Sequence, residues 1–129
     1  MFKEKEKENE FLHDLCSKTL KLDRAIRFAG IMDENGKLLV GKYRKNLIPL
    51  LTPTDDKSSN SFYTAYQSLT LKKNFESDLG DLYFQLTEFE KVTLITIPLN
   101  IRKNKYLCIS LDQESQYQKI ISKIFNKVL

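Results

Sequence analysis

The chain has 129 residues, 41% of them apolar and 29% charged, with a formal net charge of +4. This composition indicates a folded globular protein rather than a disordered chain, and the length predicts a single domain over residues 1–129 with a charged lead-in at residues 1–10. The positive excess is small, whereas a dedicated nucleic-acid-binding protein usually carries a dense basic stripe.

The first predicted elements are a helix and a β-hairpin. Apolar residues at helical spacing predict a helix over about residues 4–21, and the alternating Lys and Glu residues near its start are typical of a solvated face. Alternating residues at 26–32 and apolar residues at 38–43 predict two strands.

The sequence DENG at residues 33–36, between these strands, is consistent with either a turn or a calcium-binding loop. A calcium loop of the EF-hand type needs an acidic first ligand, Gly at its sixth position and Glu at its twelfth. With Gly36 in the sixth position, Ile31 and Lys42 would be the first and last ligands, which their side chains cannot be. The flanks are also strands rather than helices. We therefore predict a hairpin turn, in which Asn and Gly tolerate positive φ.

Polar residues with two prolines, at 46–60, predict a loop that leads into a helix over about residues 57–77. This helix is apolar on two sides, and such a helix is usually covered on both, here by the protein's own sheet and by a partner subunit. The candidate interface residues are Phe62, Tyr66 and Leu69 on one side, and Leu71 and Phe75 on nearly the opposite side. The alternative is a break near Leu71 that leaves two short helical pieces.

Three strands and a last helix are predicted after Gly80, which ends the middle helix. The strands are the alternating run from Leu82 to Leu86, the β-branched run KVTLITIPL closed by Pro98, and KYLCISLD. An apolar stripe from Tyr117 to Val128 predicts the closing helix. The predicted fold class is α/β, a five-stranded, mainly antiparallel sheet flanked by helices in the order α-β-β-α-β-β-β-α.

The residue types that carry catalysis are sparse. Cys16 and Cys108 are far apart in sequence and are predicted to be buried apolar side chains, and His13 is predicted to be a surface residue. Asp55 and Asp56 near a helix start are explained by the helix dipole. No glycine-rich phosphate loop is present. We expect no enzyme activity, no cofactor and no metal.

The sequence also bears on location and on charged partners. The amino-terminal MFKEKEKENE contains no hydrophobic segment, and no run of about eighteen apolar residues occurs, so we expect no signal peptide, no membrane span and a cytoplasmic protein. If the basic groups converge, they could meet phosphate or an acidic partner; otherwise they are scattered, solvated charges. The candidate basic surface comprises Lys42, Arg44, Lys45, Arg102, Lys103 and Lys105.

The order of elements, with AGIMDENGKLLVGKY after the first helix and KYLCISLD before the last, resembles the roadblock/dynein-light-chain domain, a relative of longin and profilin-like folds. LGDLYFQLTEFEKVTLITIPL with RFAGIMDENGKLL also looks like a family of small archaeal proteins of roadblock-like shape. The resemblance covers about residues 10–128. It implies a non-catalytic homodimer, formed by pairing sheet edges and middle helices, that serves as a platform for small GTPases or larger assemblies.

Two other functions compete with this interpretation. A small-ligand sensor of PAS or profilin-like shape would hold its ligand in an enclosed pocket between sheet and helix, against Phe28, Tyr83, Phe84 and Tyr106. Weak nucleic-acid binding through the basic loops would instead require those loops to share one surface. An interaction platform predicts a filled core and an exposed apolar helix face.

Overall fold

The computed structural model describes residues 2–45, 47, 70–99 and 104–129. Its elements are, in chain order, α1 (Phe2–Leu20), β1 (Ile26–Asp33), β2 (Leu38–Tyr43), α2 (helical over 70–79), β3 (Gln85–Glu88), β4 (Val92–Pro98), β5 (Lys105–Asp112) and α3 (Tyr117–Lys127). The strands form one sheet in the order β2-β1-β5-β4-β3, and all its neighbouring pairs are antiparallel. The predicted α/β class and the order of elements are confirmed.

The DENG sequence is a hairpin turn, as predicted. The Asp33 carboxylate accepts hydrogen bonds from the amides of Asn35 at 2.8 Å and Lys37 at 2.9 Å. Gly36 has a φ of 80°, which is the left-handed conformation that glycine adopts at little cost. The Asp33 side chain therefore closes the turn itself, and the turn sets the register between β1 and β2.

The main core lies between the sheet and the helices α1 and α3. Inward-facing side chains of all five strands meet the apolar stripes of both helices there, and each fully buried aliphatic side chain contributes about 1.5–3 kcal/mol. The buried members are Leu12, Leu15, Cys16, Ile26, Ala29, Ile31, Val40, Ile95, Ile97, Leu99, Leu107, Ile109, Leu111, Ile120, Ile121 and Ile124, with Leu86 of β3 partly buried against them.

A second, smaller apolar cluster lies on the opposite face of the sheet. It consists of Met32, Tyr106 and Cys108, with Leu38 packed against them. The pKa of the Tyr106 phenol is raised, first by burial and then by the charges of Glu34 and Glu76. Glu76 belongs to α2, so one charge of that helix lies near enough to the second cluster to act on Tyr106.

The side of the sheet formed by β1 and β2 is tightly packed around Phe28. The Phe28 ring lies against Gly30 and Gly41, and a Cβ atom added to Gly30 would come within 2.6 Å of the ring and 2.9 Å of the Val40 carbonyl oxygen. The Tyr43 ring packs against the same ring in a tilted arrangement, with centroids 4.8 Å apart and an interplanar angle of 47°. Because Gly30 and Gly41 have no side chains, the ring of Phe28 can pack directly against the backbone at these positions.

The third strand is shorter than the sequence predicts. We expected it to start near Leu82, but β3 starts at Gln85. The Leu82 amide donates a hydrogen bond to the Glu76 carboxylate at 3.0 Å, so α2 rather than the sheet satisfies this part of the backbone. Gly80, with a φ of 90°, follows the helix as predicted, and β4 ends at Pro98, also as predicted.

Candidate interaction surface

Exposed apolar side chains are concentrated around α2 and β3. Among the described residues, five of the nine exposed large apolar side chains lie between residues 75 and 89. They are Phe75, Leu79, Tyr83, Phe84 and Phe89, which we call the apolar edge. Leu79 is 78% exposed and Tyr83 is 67% exposed, which are high values for side chains of this size. Among the described residues, the segment 75–89 therefore exposes several large apolar side chains to solvent.

The apolar edge adjoins a free edge of the sheet. β3 is the last strand in the sheet and pairs with β4 through the register Gln85↔Thr96 to Glu88↔Thr93. On its other side β3 faces no strand among those that the structure describes. An edge strand presents unpaired N–H and C=O groups, so it can pair with another strand. β3 thus combines open backbone groups with apolar neighbours.

Hydrogen bonds hold the apolar edge in a defined shape. Glu76 accepts from the Leu82 amide and forms an i,i+4 ion pair with Lys72 at 3.8 Å. The Gly80 amide donates to the Glu76 carbonyl at 3.0 Å, which ends α2. After β3, the Phe89 amide donates to the Val92 carbonyl at 2.8 Å and closes the turn into β4. The exposed side chains are therefore displayed from an ordered backbone, which favours binding because less chain entropy is lost.

The predicted interface residues have different outcomes. Phe62, Tyr66 and Leu69 lie outside the described residues, as do Asp55 and Asp56. Residues 70–79 form one continuous helix, so no break falls within them. Leu71 is half-buried and Phe75 is exposed, which leaves Phe75 as the member of the predicted set that reaches the apolar edge.

Sequence reasoning did not assign Leu79 and Phe89 to a surface, and it assigned Tyr83 and Phe84 to a strand or a ligand pocket. The pattern that could have identified them is the placement of large apolar residues on both sides of a very short strand. A strand of four residues cannot bury flanking side chains on its own sheet, so such side chains remain exposed.

The four aromatic residues considered for ligand binding do not share a cavity. Tyr106 is buried in the second cluster, and Phe28 packs on the glycines of β1 and β2. Tyr83 and Phe84 are exposed on the segment before β3. Phe28 and Tyr106 share a face of the sheet but lie at opposite ends of β1, and Tyr83 and Phe84 precede β3. The sensor interpretation therefore loses the pocket that it requires from these residues.

The basic residues proposed from sequence do not converge where they can be placed. Arg44 lies opposite Arg27 at the start of β1, whereas Lys105 pairs with Asp33 at its end, six residues or about 20 Å further along. Lys42 donates to the Ser17 hydroxyl at 2.5 Å, and Lys105 forms an ion pair with Glu8 at 3.8 Å. Lys45 is exposed, and residues 102 and 103 lie outside the described ranges. A shared nucleic-acid surface through these loops is not supported.

The cysteine and histidine residues lie as the sequence predicts. Cys16 and Cys108 are buried and unpaired, and His13 is exposed. Burial raises the pKa of the Cys16 thiol to about 11, against an opposing effect of Lys42. Burial likewise raises the pKa of Cys108 to about 12, partly offset by a hydrogen bond with Thr96. At neutral pH both are protonated thiols, which are poor nucleophiles.

The described ranges also bear on metal binding and on membrane spans. Residues 2–45, 47, 70–99 and 104–129 contain no group of three or more His, Cys, Asp or Glu side chains that could hold a metal ion. None of the helices within those ranges has both the length and the apolar character that a membrane span requires.

The fold is similar to several solved structures. The gliding protein MglB from Thermus thermophilus matches with a TM-score of 0.70 at 16% identity, over 94% of this chain and 87% of that chain. MglB from Myxococcus xanthus matches with a TM-score of 0.66 at 18% identity, over 89% and 86%. A Roadblock/LC7 domain from Streptomyces avermitilis matches with a TM-score of 0.66 at 12% identity, over 91% of each chain. No protein-family model and no curated protein matches the sequence.

Proposed function

Because the chain has the roadblock/LC7 fold that its sequence predicts, we propose that it is a non-catalytic protein-interaction module that forms a homodimer through the apolar edge and β3. The observation that carries this proposal is the concentration of exposed apolar side chains beside a free sheet edge. Antiparallel pairing of two copies of β3 would join their sheets and satisfy the open backbone groups.

The size of the apolar edge agrees with a second copy as its occupant. Five side chains of about 200 Å² each, roughly half exposed, present on the order of 500 Å² of apolar surface per chain. A monomer rarely exposes a larger patch, and a stable interface takes about 800 Å² from each partner. The apolar edge together with the backbone of β3 would supply most of that area.

The dimer would act as a platform for another protein. The resemblance to roadblock domains supports a small GTPase or a larger assembly as the partner, in the cytoplasm. A dimer built through β3 leaves the β2 edge available, because β2 and β3 lie at opposite ends of the strand order.

Light scattering on the intact chain tests the proposal. The wild type is expected to have about twice the chain mass of 15.1 kDa, and Leu79→Glu and Phe89→Glu are expected to give folded monomers, because a charge in an apolar interface is costly to bury. Phe125→Glu is the matched control, since Phe125 is a partly exposed residue of α3 outside the apolar edge. It should remain dimeric.

Circular dichroism on the same samples separates loss of association from loss of folding. A wild type that stays monomeric at every protein concentration would overturn the dimer proposal. Splitting of the dimer by Phe125→Glu but not by the two apolar-edge substitutions would place the interface on α3 instead.

A further inference from the structure

Positive charge is concentrated at the corner of the sheet where α1 ends. The connection from α1 to β1 and the end of β2 line a shallow depression of about 480 Å³ that opens to solvent. The lining residues are Leu20, Lys21, Asp23, Arg24, Arg44 and Lys45, and we call this surface the basic corner. Four cations thus surround one carboxylate.

The carboxylate of the basic corner, Asp23, and the neighbouring carboxylate of Asp112 are already used within the fold. Asp23 accepts from the Ala25 amide at 2.9 Å and pairs with Lys123 of α3 at 3.4 Å. Asp112, at the end of β5, accepts from Arg27 at 2.9 Å and from Arg44 at 2.8 Å. The basic corner, together with Arg27, Asp112 and Lys123, contains six cations and two carboxylates. Its net formal charge of +4 equals that of the entire chain.

Three cations of the basic corner remain without a carboxylate among the residues that the structure describes. Lys21, Arg24 and Lys45 are exposed, and none of them forms an ion pair with a described side chain. Like charges held around one depression repel each other, and a bound anion relieves that repulsion. The Arg44 guanidinium also donates to the Arg24 carbonyl, which joins the α1–β1 connection to the end of β2.

The local backbone does not favour a compact phosphate group. Phosphate sites usually use free backbone amides at a helix N-terminus or in a nest of turns. Here the amides of Lys21, Leu22 and Ile26 donate to carbonyl groups of neighbouring residues, and the helix end at the corner is a C-terminus. The remaining groups are separate, solvated cations, which match the separate carboxylates of an acidic protein surface.

We propose that the basic corner docks an acidic surface of a partner protein. The corner lies at the β2 side of the sheet, four strand spacings or about 19 Å from β3, so docking there leaves the apolar edge free. In the proposed dimer, and only if that dimer exists, two basic corners would lie about 40 Å apart at the ends of a continuous sheet. Such a dimer would bind a two-site acidic partner more tightly than a monomer does.

Fluorescence anisotropy with a labelled oligoglutamate peptide tests docking. The wild type is expected to bind the peptide at low ionic strength and to release it as salt is added. The triple variant Lys21→Ala, Arg24→Ala and Lys45→Ala should weaken binding about tenfold, since three exposed contacts contribute about 0.5 kcal/mol each. The control variant Lys37→Ala, Lys73→Ala and Lys91→Ala removes the same charge from exposed lysines elsewhere and should bind as the wild type does.

The outcomes that overturn the proposal are distinct from a failure of the dimer. Absence of peptide binding, or equal weakening in the control variant, would show that the corner has no special affinity for acidic side chains. Stronger binding of inorganic phosphate or of an oligouridylate would assign the corner to phosphate chemistry. Repeating the titration with the Leu79→Glu chain separates the two proposals, because the docking of one peptide at one corner should persist in a monomer.

Discussion

The two edges of the sheet, β2 and β3, differ in the side chains that they present. At the β2 edge, Arg44 and the neighbouring Arg27 bind Asp112, and Lys42 reaches the Ser17 hydroxyl on α1. At the β3 edge, a strand of four residues is flanked by exposed aromatic and leucine side chains. Charged side chains at the β2 edge are therefore held by contacts within the fold, whereas the β3 edge carries most of the exposed apolar side chains of the described residues.

This difference indicates a direction for assembly. Charged residues, Lys above all, discourage strand pairing at a sheet edge, whereas an open apolar edge promotes it. If both edges resembled β3, the chain would associate from both sides and form open-ended aggregates. One edge with charged side chains and one with apolar side chains favour pairing through β3, and the cations of the β2 side remain available for a different partner.

The largest effect is expected from Gly30→Ala on the tightly packed β1–β2 side. The new Cβ would meet the Phe28 ring at 2.6 Å and the Val40 carbonyl oxygen at 2.9 Å, and the second of these is backbone that cannot easily move. Overpacking of this kind costs about 1–3 kcal/mol. Urea denaturation of the variant should show that loss of unfolding free energy.

Two companion variants test the cause. Gly41→Ala meets only the side chains of Phe28 and Leu38 among its nearest atoms, so it should cost less than Gly30→Ala. The double variant Phe28→Leu, Gly30→Ala should lose less unfolding free energy than the sum of the losses in the two single variants. The smaller leucine side chain removes the contact between the new Cβ and the aromatic ring. Strict additivity would contradict the proposed clash.

A smaller effect, about 1 kcal/mol at neutral pH, is expected from Asp112→Asn. This substitution keeps the shape but removes the charge that binds Arg27 and Arg44, and the partial exposure of Asp112 limits the loss through solvent screening. Glu114→Gln is the matched control, since Glu114 is exposed and two residues away. It should change the unfolding free energy by less than about 0.5 kcal/mol.

The contribution of Asp112 to the unfolding free energy should depend on pH in a defined direction. Burial acts to raise the pKa of Asp112, but hydrogen bonds and charges from Arg44 and Arg27 outweigh burial, so the folded-state pKa is lowered. The unfolded value is about 3.9, so the carboxylate stabilises the fold fully above about pH 5 and progressively less as pH falls through the folded-state pKa. The difference between the wild type and Asp112→Asn should therefore shrink in acid. A difference that is constant with pH would mean that shape rather than charge is responsible.

The two edges also differ in how far the sequence predicts them. The β2 side follows from local patterns, because alternating residues define both strands and Asp33 with Gly36 defines their turn. The β3 edge was predicted too long, because alternation from Leu82 suggests a strand while the amide of Leu82 is bound by Glu76 of the preceding helix. Periodicity describes which residues alternate but not which backbone groups find partners in the sheet.

The basic corner could not be predicted from local patterns. Asp23 and Lys123 are separated by 100 residues, and Arg27 and Asp112 by 85 residues, so only the folded chain brings their charges together. Of the basic residues that the sequence analysis grouped together, Arg44 lies opposite the start of β1, whereas Lys105 is the strand partner of Asp33 at its end. Charge clusters built from distant segments depend on sheet order, which the sequence pattern does not specify.

The smallest effect on the isolated chain is expected from Phe89→Ala at the apolar edge. Phe89 is 53% exposed, so its truncation should change the unfolding free energy by less than about 0.5 kcal/mol at protein concentrations where the chain is monomeric. Unfolding of a dimer depends on protein concentration, whereas unfolding of a monomer does not. The wild type should therefore gain stability as its concentration is raised, and Phe89→Ala should gain less. A loss of more than about 2 kcal/mol at low concentration would place Phe89 in the core of the monomer and would remove it from the apolar edge, because only a packed side chain leaves a cavity of that cost.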